Sequence, residues 1–137
     1  MLTKELVPIV LLVEDITKFV CQSMENPKNK TGGYLCITDR NGKLCCLNQI
    51  GMVLDLTKAE KYAGFAQEKA KRLVAHPDHI SSWQSRIEKE DKYGGAIRVG
   101  NNIYSFSGLT EHEDEAIMLT AARYCSPEKF STSQQAT

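Results

Sequence analysis

No charge of either sign dominates this chain, because seventeen basic residues are offset by seventeen acidic ones and the formal net charge is zero. Without a basic surplus there is no electrostatic footprint for DNA, RNA or an anionic bilayer, so neither nucleic acid nor a membrane surface is expected as a partner. Long apolar runs are missing as well. The stretch Leu6-Val-Pro-Ile-Val-Leu-Leu-Val13 falls far short of the about 20 apolar residues that span a bilayer. It also fails as a secretion signal, since Pro8 interrupts it, Glu5 and Glu14 flank it and no small-residue cleavage site follows.

Paired cysteine spacing is absent too. Cys21, Cys36, Cys45, Cys46 and Cys125 form an odd set with no C-x-x-C, which argues against a disulfide framework and a zinc finger and for a reducing, cytoplasmic setting. Cys45 and Cys46, as strand neighbours, point to opposite faces and cannot readily bridge. Neither G-x-G-x-x-G, a Walker loop nor a nucleophile elbow occurs. No catalytic residue is nominated, and the weight lies against an enzyme.

What is present reads as one α+β domain over residues 1–125, followed by a tail, 126–137, whose composition predicts disorder. Ile9, Leu12, Val13, Ile16, Val20 and Met24 recur at helical spacing from Val7 to Met24, with Pro8 in the first turn and Asn26-Pro27 as the stop. Asn41-Gly42 between two strand-like runs predicts a hairpin with a two-residue type I′ turn, setting Ile37 opposite Cys46 and Cys36 opposite Leu47. A second helix follows with a stripe of Ala59, Tyr62, Ala63, Ala66, Ala70, Leu73 and Val74. Thr57 and Glu60 form its expected capping box, Lys69 and Arg72 lie off the stripe, and Pro77 closes it. Phe65, also off the stripe, is the residue expected under another subunit. Residues 77–93 show no clear pattern. Gly94-Gly95 opens a second hairpin, 96–99 and 103–107, joined by Gly100-Asn101-Asn102, and Thr110 with Glu113 caps a last helix ending near Cys125. The expectation is an antiparallel sheet from two hairpins with helices packed on it.

Several of these segments together resemble the GlcG/HbpS-like family. They are Ile37-Thr-Asp-Arg-Asn-Gly-Lys-Leu44, the alanine-rich helix from Asp55 through Ala66, Gly94-Gly95, and Ser107-Gly108 with Asp114-Glu115. The likeness runs over about residues 5 to 125 and departs from the family's glycine-rich pattern between Pro77 and Lys92. It implies a profilin-like α/β/α fold, assembly into a dimer or larger homo-oligomer, and binding of a small ligand, haem or another tetrapyrrole being linked to some members.

The candidate ligand-binding residues are Trp83, Tyr93, Arg98, Tyr104 and Ser107, with Arg98 suited to gripping an acidic group bidentately. His76 and His79, in His-Pro-Asp-His, and His112 are the candidate haem or metal ligands, although nearly any motif-free histidine is more often a plain surface residue. Ser105, Ser107, Thr110 and the carboxylates of 111–115 read as strand end and helix cap rather than as a hydrolase site. Two readings stand beside the binding protein: a scaffold module that holds no small molecule, and a cofactor-free enzyme acting on small organic acids.

Overall fold

The computed structural model describes residues 4–23 and 29–125. The expectations placed on Met24, on Asn26-Pro27 and on the 126–137 tail lie outside the described residues.

Three helices, α1 (Val7–Cys21), α2 (Leu56–Val74) and α3 (Glu111–Cys125), and four strands, β1 (Gly32–Asp39), β2 (Leu44–Gly51), β3 (Ala96–Val99) and β4 (Asn102–Ser107), follow the expected order. The strands form one antiparallel sheet in the order β2-β1-β4-β3. Strand alternation sorts the core into two parts. Leu35, Ile37, Tyr104 and Phe106 join Val10 and Val13 of α1 and Ile117 and Met118 of α3 on one face. Cys36 and Ile103 meet Ala66, Ala70 and Leu73 of α2 on the other. The α+β class and the α/β/α layering expected from the sequence are both observed.

The first hairpin keeps the expected register, Ile37 opposite Cys46 and Cys36 opposite Leu47, but reaches it by a different turn. Asn41-Gly42 is not a type I′ loop. The Gly42 amide donates to Asp39 O at 3.1 Å and the Asp39 amide to Lys43 O at 3.0 Å, making Arg40–Gly42 a three-residue loop in which Gly42 alone takes positive φ, 91°. Asp39 dictates this, because its Oδ1 accepts the amides of Asn41 and Lys43, both at 2.9 Å. The ladder then shifts between Ile37 and Thr38, leaving Cys45 as a bulge that restores the register. Cys46 is buried and Cys45 exposed.

In the second hairpin Val99 pairs with Asn102, so Asn102 belongs to β4 and the loop is Gly100-Asn101 alone. Gly100, at φ 58°, occupies the position a type II′ turn reserves for glycine. The cap of α2 is also corrected. Asp55, not Thr57, receives the first free amides, from Thr57 at 2.9 Å and Lys58 at 3.2 Å, which starts the helix at Leu56. The Thr110–Glu113 capping box forms as expected. Among the described residues, no helix is long and apolar enough to cross a membrane.

Candidate functional site

The largest departure from the sequence reading lies on α2. Lys69 and Arg72, expected off the buried stripe, are 2% and 7% exposed. Lys69 Nζ donates to Phe106 O at 2.8 Å and to Asp114 Oδ2 at 3.2 Å, while Asp114 Oδ1 accepts the Leu109 amide at 2.9 Å. Burial raises the Asp114 carboxyl to about 6 even though the Lys69 ammonium opposes the shift. Asp114 is therefore more than an exposed charge at the positive end of α3.

Arg72 organises the segment between α2 and β3. Its guanidinium donates to both Glu68 carboxylate oxygens, to Ser82 O at 2.7 Å, to Ser85 Oγ at 2.8 Å and to Tyr93 O. Residues 82–85 and 88–90, unassigned from the sequence, each make a single 3₁₀ turn, the first capped by Ser81 and Gln84. These turns stand off α2 and leave a groove of about 1020 Å³ between them. Gly64, Gln67, Glu68 and Lys71 line one wall, Gln84–Ile87 and Lys92 the other, and His76 with His79 complete it beyond the helix end.

His76 Nδ1 lies 2.8 Å from Arg72 O. A carbonyl only accepts, so Nδ1 carries the proton, and the neutral ring keeps its lone pair on Nε2. The His79 ring stacks on His76, with centroids 4.6 Å apart and planes 8° from parallel, and its Nδ1 is buried with no hydrogen-bond partner among the described residues. Four cations (Lys71, Arg72, Arg86, Lys92) line the groove against the single carboxylate of Glu68. Among the described residues no cluster of three or more His, Cys, Asp and Glu side chains could hold a bare metal ion.

The sequence candidates do not converge on one place. Trp83 and Tyr93 come together through Arg86, whose guanidinium lies 5.2 Å from the Trp83 ring centroid and 5.9 Å from that of Tyr93. Glu111 holds Arg86 at 2.7 and 2.9 Å and accepts the Gly94 amide at 2.9 Å. Burial would raise the Glu111 carboxyl, but the Arg86 and Gly94 hydrogen bonds outweigh it and hold it below its ordinary range. Arg98 does not reach the groove as an acid clamp. It donates to His79 O at 2.9 Å, Leu73 O at 2.6 Å and His76 O at 3.1 Å, tying together the carbonyls at and just beyond the end of α2. Tyr104 is buried in the core on the α1 and α3 face, and Ser107 is buried at the far end of β4. Ser105 Oγ donates to Ala66 O at 2.7 Å. His112 is exposed and stacks on Trp83 at 4.8 Å, away from the other histidines. Phe65 packs edge-on against Tyr93 of its own chain, centroids 5.7 Å apart.

The sequence named His76 and His79 but missed Lys69, Arg72, Arg86 and Asp114. Asp114 left a signal, since it sits three and four residues before Ile117 and Met118 on the buried stripe of α3. Gly94 has a related role. A Cβ there would lie 2.1 Å from Trp83 Nε1, so the indole rests directly on the glycine backbone. Gly94→Ala is expected to lower stability by about 1–3 kcal/mol, the usual cost of overpacking, and to shift Trp83 fluorescence as the ring is displaced. Thermal melts and emission spectra check both.

Three-layer domains of this class recur among solved structures. The crystal structure of the PduOC:haem complex matches at TM-score 0.62 and 15% identity, over 88% of this chain and 91% of that one. Ybr137w matches at TM-score 0.64 and 18% identity, over 93% and 80%. Klebsiella pneumoniae ORFY, a DUF336 protein, is a weaker likeness, at TM-score 0.45 and 12% identity over 84% and 89%. No family model and no curated protein matches the sequence. The fold implied by the GlcG/HbpS-like resemblance is the fold observed.

Proposed function

We propose that this chain is a small-ligand-binding domain whose site is the groove between α2 and residues 82–92, and that its ligand is a planar acidic molecule of the haem or tetrapyrrole type. One observation carries the reading: Arg72 O fixes the His76 tautomer so that Nε2 keeps a free lone pair on a groove-lining ring. Backbone-oriented imidazole is the usual way a protein prepares a histidine for an iron or zinc centre. Haem bound there would supply a Lewis-acidic iron for His76 to ligate. Lys71 and Lys92 suit carboxylate side groups. Ala75 and Ile87 are the apolar part of the lining, so the macrocycle would lie partly open to solvent. The haem complex of PduOC, a similar fold, supports the ligand class.

Titration with haemin, followed in the Soret region, tests this. The expected result is a shifted band saturating at one equivalent, lost in His76→Ala and retained in His112→Ala. A protein that gives no shift, or a shift indifferent to His76, refutes the haem assignment.

A further inference from the structure

Gly64 lies well inside α2, where neither turn geometry nor packing calls for glycine. Its backbone is ordinary helix rather than a positive-φ bend, and a Cβ there would meet nothing within 4 Å among the described residues. Glycine suits a helix interior worse than any residue but proline, because its free backbone must be frozen. The fold alone therefore does not account for it. The open space above Gly64 is the groove, whose α2 wall it lines.

Neighbouring side chains on that wall are held down as well. Gln67 Nε2 folds back to donate to Ala63 O at 3.1 Å, and Glu68 is tied to Arg72 at 2.8 and 3.2 Å. From Gly64 to Lys71 the helix thus offers the groove a low surface of backbone and tethered side chains. Gly64, Glu68, Lys71 and Ala75 follow one another at three- and four-residue steps, so they share one face, and that face leads to His76.

We infer that Gly64 is a specificity-determining residue of the groove: the flat body of the ligand runs from His76 along α2, and its far edge rests on the backbone at Gly64. This rests on the ligand reading given above. At 1.5 Å per residue the two positions stand about 18 Å apart along the helix. The His76 ring, bonded to Arg72 O, leans back and shortens that reach. A short ligand would leave Gly64 uncovered. A side chain at position 64 would stand in the path of a long, planar one.

Haemin titrations of the wild type, Gly64→Ala and Gly64→Leu, with thermal melts of the unliganded proteins, test the inference. Both substitutions should raise the melting temperature by about 2–5 °C, since alanine and leucine favour helix over glycine. Haemin affinity should nevertheless fall, by about tenfold or more for leucine and less for alanine, while the Soret maximum stays where His76 ligation sets it. Glu60→Leu, exposed on α2 outside the groove, should bind as the wild type does. Haemin binding that depends on His76 but is unchanged in Gly64→Leu overturns this inference and spares the ligand reading. A wild type that binds no haemin removes both. Gly64 variants that melt below the wild type would show that the glycine serves the fold, and overturn the inference as well.

Discussion

Lys69→Ala should cost about 3–5 kcal/mol, a large part of the stability of a domain this size, and lower the melting temperature by about 10–20 °C. The side chains of Lys69 and Asp114 are each 3% exposed. Removing the ammonium leaves a carboxylate shut away from water, with the Leu109 amide as its remaining hydrogen-bond donor, and leaves Phe106 O without its donor. Lys69→Met with Asp114→Asn should recover most of the loss, because the charge is removed from both partners while the asparagine oxygen still accepts from Leu109. The pH dependence carries the sign of the Asp114 shift. A carboxyl raised from 3.8 to about 6 by burial binds its proton more tightly when folded, so its contribution is fullest below about pH 4 and is lost as pH rises through about 6. The Lys69→Ala deficit should therefore be smaller at pH 5 than at pH 8. Equal deficits at the two values would show that charge burial is not its source.

Arg72→Ala should have the second largest effect, and a different one. Three of the groups that Arg72 holds, Ser82 O, Ser85 Oγ and Tyr93 O, lie on the segment after α2, and the fourth, the Glu68 carboxylate, is one turn back on α2 itself. Losing them should destabilise the whole by about 2–4 kcal/mol and free residues 82–93 more than the rest. Trypsin should then cut after Lys89 and Lys92 about tenfold faster or more, while amide exchange in β1 and β4 rises only with global stability. Arg72→Lys should rescue little, because an ammonium cannot reproduce the planar fork that addresses three directions at once. Cleavage unchanged from the wild type in both variants would mean that the 3₁₀ turns are held by other contacts.

The architecture was legible where residue type and period agree. Asn-Gly and Gly-Asn marked both turns, Thr110 and Glu113 marked a cap, and the strand runs fixed a register that survived a wrong turn assignment because the Cys45 bulge offset it. Asp55 outcompeted Thr57 for the first amides of α2, which a capping-box search does not weigh. The site was less legible. Helical periodicity treats a charged residue as outward-facing, so Lys69 and Arg72 were placed in solvent, when each reaches inward to partners 37 and 10 or more residues away. Arg98 was read for its bidentate chemistry, and that chemistry is used, but on helix-end carbonyls. The segment 77–93 gave no pattern because short 3₁₀ turns held by long-range hydrogen bonds leave no periodic trace.

Arg98 grips its neighbours by the backbone, at Leu73 O, His76 O and His79 O, and Arg72 holds the segment after α2 by Ser82 O and Tyr93 O together with Ser85 Oγ. Carbonyls are the same on every residue. Side chains from Gln84 to Lys92 can therefore be exchanged with little disturbance to where the wall stands, Gln84, Ser85 and Arg86 excepted. A lineage could retune what the groove accepts by drift along that wall, without rebuilding the frame.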